Sequence, residues 1–306
     1  MKRAIVLSGG GAKGAYEAGF LLAAKELNQH FDIVTGTSIG ALNGALVAMG
    51  DYEGLEYTWN ILDMDHVFNN APDLTDLKDD FMTTSLFNKE EGSNLSELKE
   101  SIAQQTSLAQ SFLRYYFKNK GADNTPFVEH CRGLMDEERL LSSPIDFGIC
   151  TVQFPSMKAC YKTKSEMERG HMLDYLLASS ACFPVFPMIE INGYKYIDGG
   201  FSDNLPIDLA LDMGADEIVV VDMHLIPVHP QYINRPSILY SCPPVDLGGF
   251  MDFNKDALER NRRLGYLMAY KLFGNYEGNQ YTFLPSNQTV FHLSLIHISE
   301  PTRLLS

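Results

Sequence analysis

The sequence predicts an α/β domain of three layers, a mainly parallel central sheet flanked by helices, with a helical cap inserted into it. Three observations predict this. Short apolar runs, Ala4-Ile5-Val6-Leu7, Ile33-Val34-Thr35 and Ile218-Val219-Val220-Val221, read as strands buried on both faces. Glycine-rich turns stand where the first two strands give way to helical repeats. The strand and helix alternation runs over residues 2–50 and resumes over 145–223, leaving 51–143 as a polar, mostly helical insertion.

The first strand breaks at Ser8 into Gly9, Gly10 and Gly11, and after Ala12, Lys13 and Gly14 a helix begins near Ala15 that turns Phe20, Leu21 and Leu27 toward the core. Backbone N–H groups in such a loop converge on an anion because no side chain blocks the approach, which suits a phosphate cradle or an oxyanion hole. Gly9, Gly11 and Gly14 match a dinucleotide fingerprint, but that motif needs an acid at the end of the second strand and Asp32 precedes it. A Walker loop fails as well, since Gly14 is followed by Ala15 rather than Lys and Ser/Thr.

The second strand ends in Gly36-Thr37-Ser38-Ile39-Gly40, after which Ile39, Leu42, Leu46 and Met49 recur at helical spacing. Strand, sharp turn and helix are what a nucleophile elbow requires, with Gly36 and Gly40 removing side chains that would collide across the turn. Ser38 then sits at the amino end of a helix, where N–H groups and the helix dipole favour developing negative charge. Taken alone, the segment also reads as a turn whose serine caps the helix.

Asp198 lies after Glu190-Ile191-Asn192-Gly193-Tyr194-Lys195-Tyr196, an alternating hairpin around an Asn-Gly turn, and Gly199 and Gly200 let another backbone come close behind it. Asn204 is positioned to hydrogen-bond the loop carrying Asp198, and Pro206 fits the first turn of the next helix. A helix ending at Gly214 and a strand over 216–222 complete this half.

From Lys2 to Met223 these motifs together resemble those of the patatin-like phospholipase family, of the bacterial type, which pairs a G-G-G-x-[K/R]-G loop with a G-x-S-x-G elbow and an aspartate in D-G-[G/A]. The resemblance implies that Ser38 is the nucleophile, Asp198 the general base, and the amides of Gly9, Gly10, Gly11 and Ala12 the oxyanion hole, with Lys13, Gly14, Gly36, Gly40, Gly199 and Gly200 as supporting motif residues. Lys13 has a second reading as a solvated loop lysine.

The resemblance further implies a patatin-like fold and a serine esterase of the phospholipase A or lysophospholipase kind that works through an acyl-enzyme without a cofactor. Long-chain acyl esters would be its substrates. Two alternatives remain: a Ser-His-Asp hydrolase, kept open by His224, and a non-catalytic lipid-binding protein that retains the fold. Headgroup, acyl position and oligomeric state are not legible.

The motifs span most of the 306 residues and must meet in space, so residues 1–292 are expected to form one domain with its cap at about 51–143. Trp59, Leu95, Leu98, Ile102, Phe112, Tyr115 and Tyr116 fall at helical spacing in that cap. Its aromatic cluster with Leu108 and Phe117 suits an acyl channel or a lipid surface, but helical spacing favours packing on the sheet. The loop from Val228 to Val245 is expected to border the mouth of the site, and a helix over Lys255 to Phe273 to pack on the outside.

A net charge of −15 excludes nucleic acid as partner and any strong attraction to anionic bilayers, so contact with a membrane or micelle is expected to be transient. Five scattered cysteines, no metal-ligand pattern, no signal peptide and no apolar run near bilayer length point to a cytoplasmic enzyme. Residues 293–306 resemble a translated transposon adapter from DNA library preparation, so the natural sequence is expected to diverge near His292.

Overall fold

The computed structural model describes residues 1–69, 122–183 and 185–274. Residues 70–121 of the expected cap, with Leu95, Leu98, Ile102, Leu108, Phe112, Tyr115, Tyr116 and Phe117, and the adapter-like tail both lie outside the described residues.

The apolar runs form the centre of one sheet. Strands β1 (Arg3–Leu7), β2 (Ile33–Thr37), β3 (Asp146–Phe154), β4 (Lys158–Thr163), β5 (Ile189–Ile191), β6 (Tyr194–Asp198), β7 (Glu217–Val221) and β8 (Ile238–Ser241) are arranged β5-β6-β3-β2-β1-β7-β8, with β4 on β3. The run β3-β2-β1-β7-β8 is parallel, and β4, β5 and β6 join antiparallel. β1 lies between β2 and β7, so the chain order reverses there and a crevice opens beyond its carboxyl end, where open α/β sheets bind ligands.

Register carries three distant segments to that crevice. Leu7 pairs with Gly36, Thr37 with Cys150, and Thr151 with Asp198, which brings the ends of β1, β2 and β6 together across the middle of β3. The hairpin that delivers Asp198 turns through Asn192 and Gly193 at φ 52° and 77°, as the Asn-Gly pair predicts.

Helices α1 (Gly14–Glu26) and α2 (Ile39–Ala48) follow the two glycine turns. α1 buries Phe20 and Leu21, while Leu27 is the capping residue at its end and only half-buried, because the helix stops one residue earlier than its apolar repeat suggests. The described residues of the expected cap segment form α3 (Tyr52–Ile61), α4 (Met64–Val67), α5 (Thr125–Leu134) and α6 (Glu137–Ser142). Trp59 of α3 is buried and its indole N–H donates to Asn43 Oδ1 on α2 at 2.9 Å. Helix α7 (Met172–Ser179) lies beside β3, and α8 (Ile207–Asp212) starts after Pro206, which is its capping residue rather than its first turn.

Helix α9 (Lys255–Phe273) packs directly along α1. Two glycines permit the approach: a Cβ on Gly19 would stand 1.8 Å from the carbonyl oxygen of Arg262, and one on Gly265 1.7 Å from that of Tyr16. The obstacle in both cases is backbone, so a methyl group can only force the helices apart. Gly265→Ala is expected to destabilise the fold by about 3 kcal/mol or more in chemical denaturation. The control is Gly133→Ala in α5, where nothing lies within 4 Å of the new Cβ. That substitution should instead stabilise by about 0.5–1 kcal/mol, as removing a helical glycine does.

Candidate active site

Ser38 stands between β2 and α2 with φ 56° and ψ −127°, a left-handed conformation that a residue with a Cβ adopts only under constraint. The constraint comes from both sides of the turn. A Cβ on Gly36 would meet the carbonyl carbon of Gly40 at 2.5 Å, and one on Gly40 would meet the oxygens of Leu7 and Ser8, both at 2.6 Å. The elbow is therefore pressed against the end of β1, next to the glycine loop. Ser38 makes no side-chain cap bond to α2, which sets aside the reading as a helix-capping serine. Its hydroxyl donates to Asp198 Oδ2 at 2.7 Å instead.

Asp198 closes β6, and its other oxygen, Oδ1, accepts the N–H of Gly200 at 2.7 Å. The residue is 6 % exposed. Burial pushes its pKa up to about 7, against the smaller opposing pull of the Ser38 hydroxyl and the Gly200 amide. Gly199 permits this burial, because a Cβ there would sit 2.2 Å from the carbonyl oxygen of Cys150.

The glycine loop narrows the predicted set of oxyanion donors. The N–H of Gly9 already donates to Asn204 O at 3.0 Å and that of Ala12 to Phe250 O at 2.7 Å, so neither points at the cavity as expected from sequence. The amides of Gly10 and Gly11 donate no hydrogen bond to any other described residue, and both glycines line the cavity over Ser38. Asn204 is also corrected: its amide donates to Gly9 O at 3.1 Å, so it braces the glycine loop and not the loop of Asp198.

Lys13 is buried at 9 % exposure and lines the same cavity, which overturns its reading as a solvated loop lysine. Burial lowers its pKa, opposed by the charges of Asp246 and Asp222. Gly14 serves packing, since a Cβ there would meet Ile39 Cγ1 at 2.5 Å where α1 crosses α2.

Sequence reasoning missed Ser179. Its Oγ accepts the N–H of Ser38 at 2.9 Å and donates to Cys150 O at 2.6 Å, tying the elbow to the middle of β3. Nothing in the local sequence marks it, because only the fold brings it to Ser38. The cavity wall was also misplaced. Ile238–Ser241, within the loop expected at the mouth, forms the edge strand β8, and Phe250, Met251 and Phe253 line the cavity together with Phe127 and Phe186.

His224 lines this cavity as well, but its Nδ1 lies 2.7 Å from Asp222 Oδ1 while the Ser38 hydroxyl is directed to Asp198. His171 pairs with Asp174 at 2.7 Å on the surface. No group of three His, Cys, Asp or Glu side chains among the described residues forms a metal cluster. No helix among them is long and apolar enough to cross a membrane.

Comparison with known proteins adds to this geometry. The sequence model of the patatin-like phospholipase family matches residues 5–211. Lysophospholipase NTE1 of Meyerozyma guilliermondii is 22 % identical over 90 % of this chain and 19 % of its own length. Patatin-like phospholipase domain-containing protein 7 of Rattus norvegicus is 26 % identical over 72 % of this chain and 13 % of its own. The chain thus spans less than a fifth of the length of these relatives. Among solved structures, VipD from Legionella pneumophila superposes with a TM-score of 0.53 at 16 % identity, covering 89 % of this chain and 66 % of that one, and it supports the fold alone.

Proposed function

The chain belongs to the patatin-like phospholipase family, and from that premise we propose that it hydrolyses lipid acyl esters of the phospholipase A or lysophospholipase kind through a Ser38–Asp198 dyad. The observation that carries the reading is the 2.7 Å hydrogen bond from Ser38 Oγ to a buried carboxylate, beside a glycine loop with two amides directed to no described partner. As Ser38 Oγ attacks the ester carbonyl, Asp198 takes its proton, and the negative charge forming on the carbonyl oxygen is met by the N–H groups of Gly10 and Gly11. Collapse expels the alcohol, which leaves with the proton from Asp198. Water, deprotonated by the same carboxylate, then attacks the acyl-enzyme, and as the second intermediate collapses Asp198 returns that proton to Ser38 Oγ, releasing the fatty acid and restoring the dyad. A carboxylate held near pKa 7 matches this role far better than an ordinary one near 4, which binds a proton too weakly. Each step uses groups of the protein and water, so the mechanism calls for no cofactor.

The substrates that fit are long-chain esters presented in neutral form. With a net charge of −15 the protein is repelled by anionic surfaces, so contact with membrane or micelle is transient. The five cysteines are all unpaired, which favours a reducing, cytoplasmic setting. Turnover of phosphatidylcholine, lysophospholipid and monoacylglycerol, compared with short nitrophenyl esters, tests the reading. Hydrolysis of the lipids in neutral micelles, falling in anionic vesicles at low salt, is expected. Activity confined to short soluble esters would refute the lipid assignment.

A further inference from the structure

We propose that the apolar groove between α2 and α5 holds the acyl chain of the substrate, entered at Ser38 and long enough for about a dozen carbons. The inference rests on Ser38 being the nucleophile.

Helix α2 leads directly away from Ser38, and the apolar residues it gives to the groove, beside Asn43, are Ile39, Leu42, Ala45, Leu46 and the capping Met49, spaced along one face of the helix. Such spacing lays them in one stripe along the helix axis. The facing wall has the same form, with Phe127, His130, Cys131 and Leu134 at matching intervals on α5. The two stripes line one apolar groove together with Leu62, Leu173 and Leu176, a lining that suits a hydrocarbon. The trough adjoins the cavity over Ser38, and Ile39, Leu42 and Phe127 line both.

The lining also selects for an apolar occupant. Its polar side chains are already engaged: the Thr58 hydroxyl donates to Gly54 O at 2.8 Å and lies 2.9 Å from His130 Nε2, while Asn43 bonds Gly14, Glu17 and Trp59. A hydrocarbon therefore displaces none of these hydrogen bonds, whereas a polar ligand would have to compete for groups already engaged among the described residues. From Ser38 to Met49 the helix rises about 16 Å, at about 1.5 Å per residue, the length of an extended chain of about twelve carbons. The groove holds about 490 Å3 of unfilled space, its open mouth included.

Binding separates this inference from the catalytic one. Ser38→Ala protein is titrated calorimetrically with saturated fatty acids of increasing length, each below its micelle concentration. Every added methylene should tighten binding about fourfold, until the gain ends near twelve carbons. Ala45→Phe, added to this background, fills the trough about 10 Å from residue 38, and the gain should then end near eight carbons. Met49→Ala opens the far end and should move the limit beyond twelve; it also carries the test if the Phe variant does not fold. Folded variants with the parent's length profile, or a parent with no dependence on length, would overturn the proposal. Wild-type protein that shows the predicted limit yet hydrolyses nothing would contradict the nucleophile and leave the groove assignment standing.

Discussion

Asp198→Asn is expected to lower turnover by about a hundredfold or more while making the protein harder to unfold. Asparagine keeps the shape and can still accept the Gly200 N–H at 2.7 Å, but it cannot take the proton of Ser38. The gain in stability follows from the same burial that suits the group to catalysis. In the unfolded chain the carboxyl ionises near 3.8, and in the fold only near 7. Between those pH values the native state keeps a proton that the unfolded state has released, so stability falls as pH rises through this window and stays low above it. The loss amounts to roughly 4 kcal/mol for a difference of this size. The asparagine side chain carries no such charge, so at pH 8 the variant should exceed the wild type in denaturant unfolding, with the advantage shrinking toward pH 4. The wild-type kcat/KM should in turn rise with pH to a plateau, with its midpoint near pH 7. His224→Ala and His171→Ala should stay within a few fold of wild type once corrected for folded fraction. A folded His224→Ala protein that binds substrate but has lost all activity would replace the dyad with a Ser-His-Asp arrangement.

Gly40→Ala is expected to damage both fold and catalysis. The new methyl group would lie 2.6 Å from the carbonyl oxygens of Leu7 and Ser8, the last residues before the glycine loop, and neither can turn away as a side chain would. Relief requires α2 to move off β1, which separates Ser38 from the amides of Gly10 and Gly11. Overpacking of this kind costs about 3 kcal/mol or more, and misplacing the nucleophile by even about 1 Å lowers turnover on the order of a hundredfold. Thermal unfolding and ester turnover measured on the same preparation check both parts. A variant that keeps wild-type stability and rate would show that the elbow has room the structure does not give it.

Much of this site is legible in the sequence because backbone geometry dictates residue type there. Only glycine fits at Gly36 and Gly40 where the elbow meets β1, and only glycine fits at Gly199 where Asp198 is buried, so the demands of the fold are written as motifs. The hairpin turn at Asn192-Gly193 is readable for the same reason. What escaped reading depends on long-range contact. Four amides of the glycine loop look alike in sequence, and only the approach of Asn204 and Phe250 decides that Gly9 and Ala12 are occupied. Ser179 is an unremarked serine at the end of a helix until β3 brings Cys150 beside it. Lys13 appears in sequence as a loop lysine, yet the chain folds over it. The strand at Ile238–Ser241 is only four residues long and sits among prolines, too short for a periodic pattern to rise above its flanks.

The central proposal is that Ser38 is a nucleophile activated by its contact with Asp198 and by no histidine among the described residues. Labelling with a fluorophosphonate probe, followed by peptide mapping, tests it most directly. The account predicts one covalent adduct, on Ser38, abolished in Ser38→Ala, strongly slowed in Asp198→Asn and unaffected in His224→Ala. A folded wild-type protein that takes up no probe, or an adduct that maps to another serine, would contradict it.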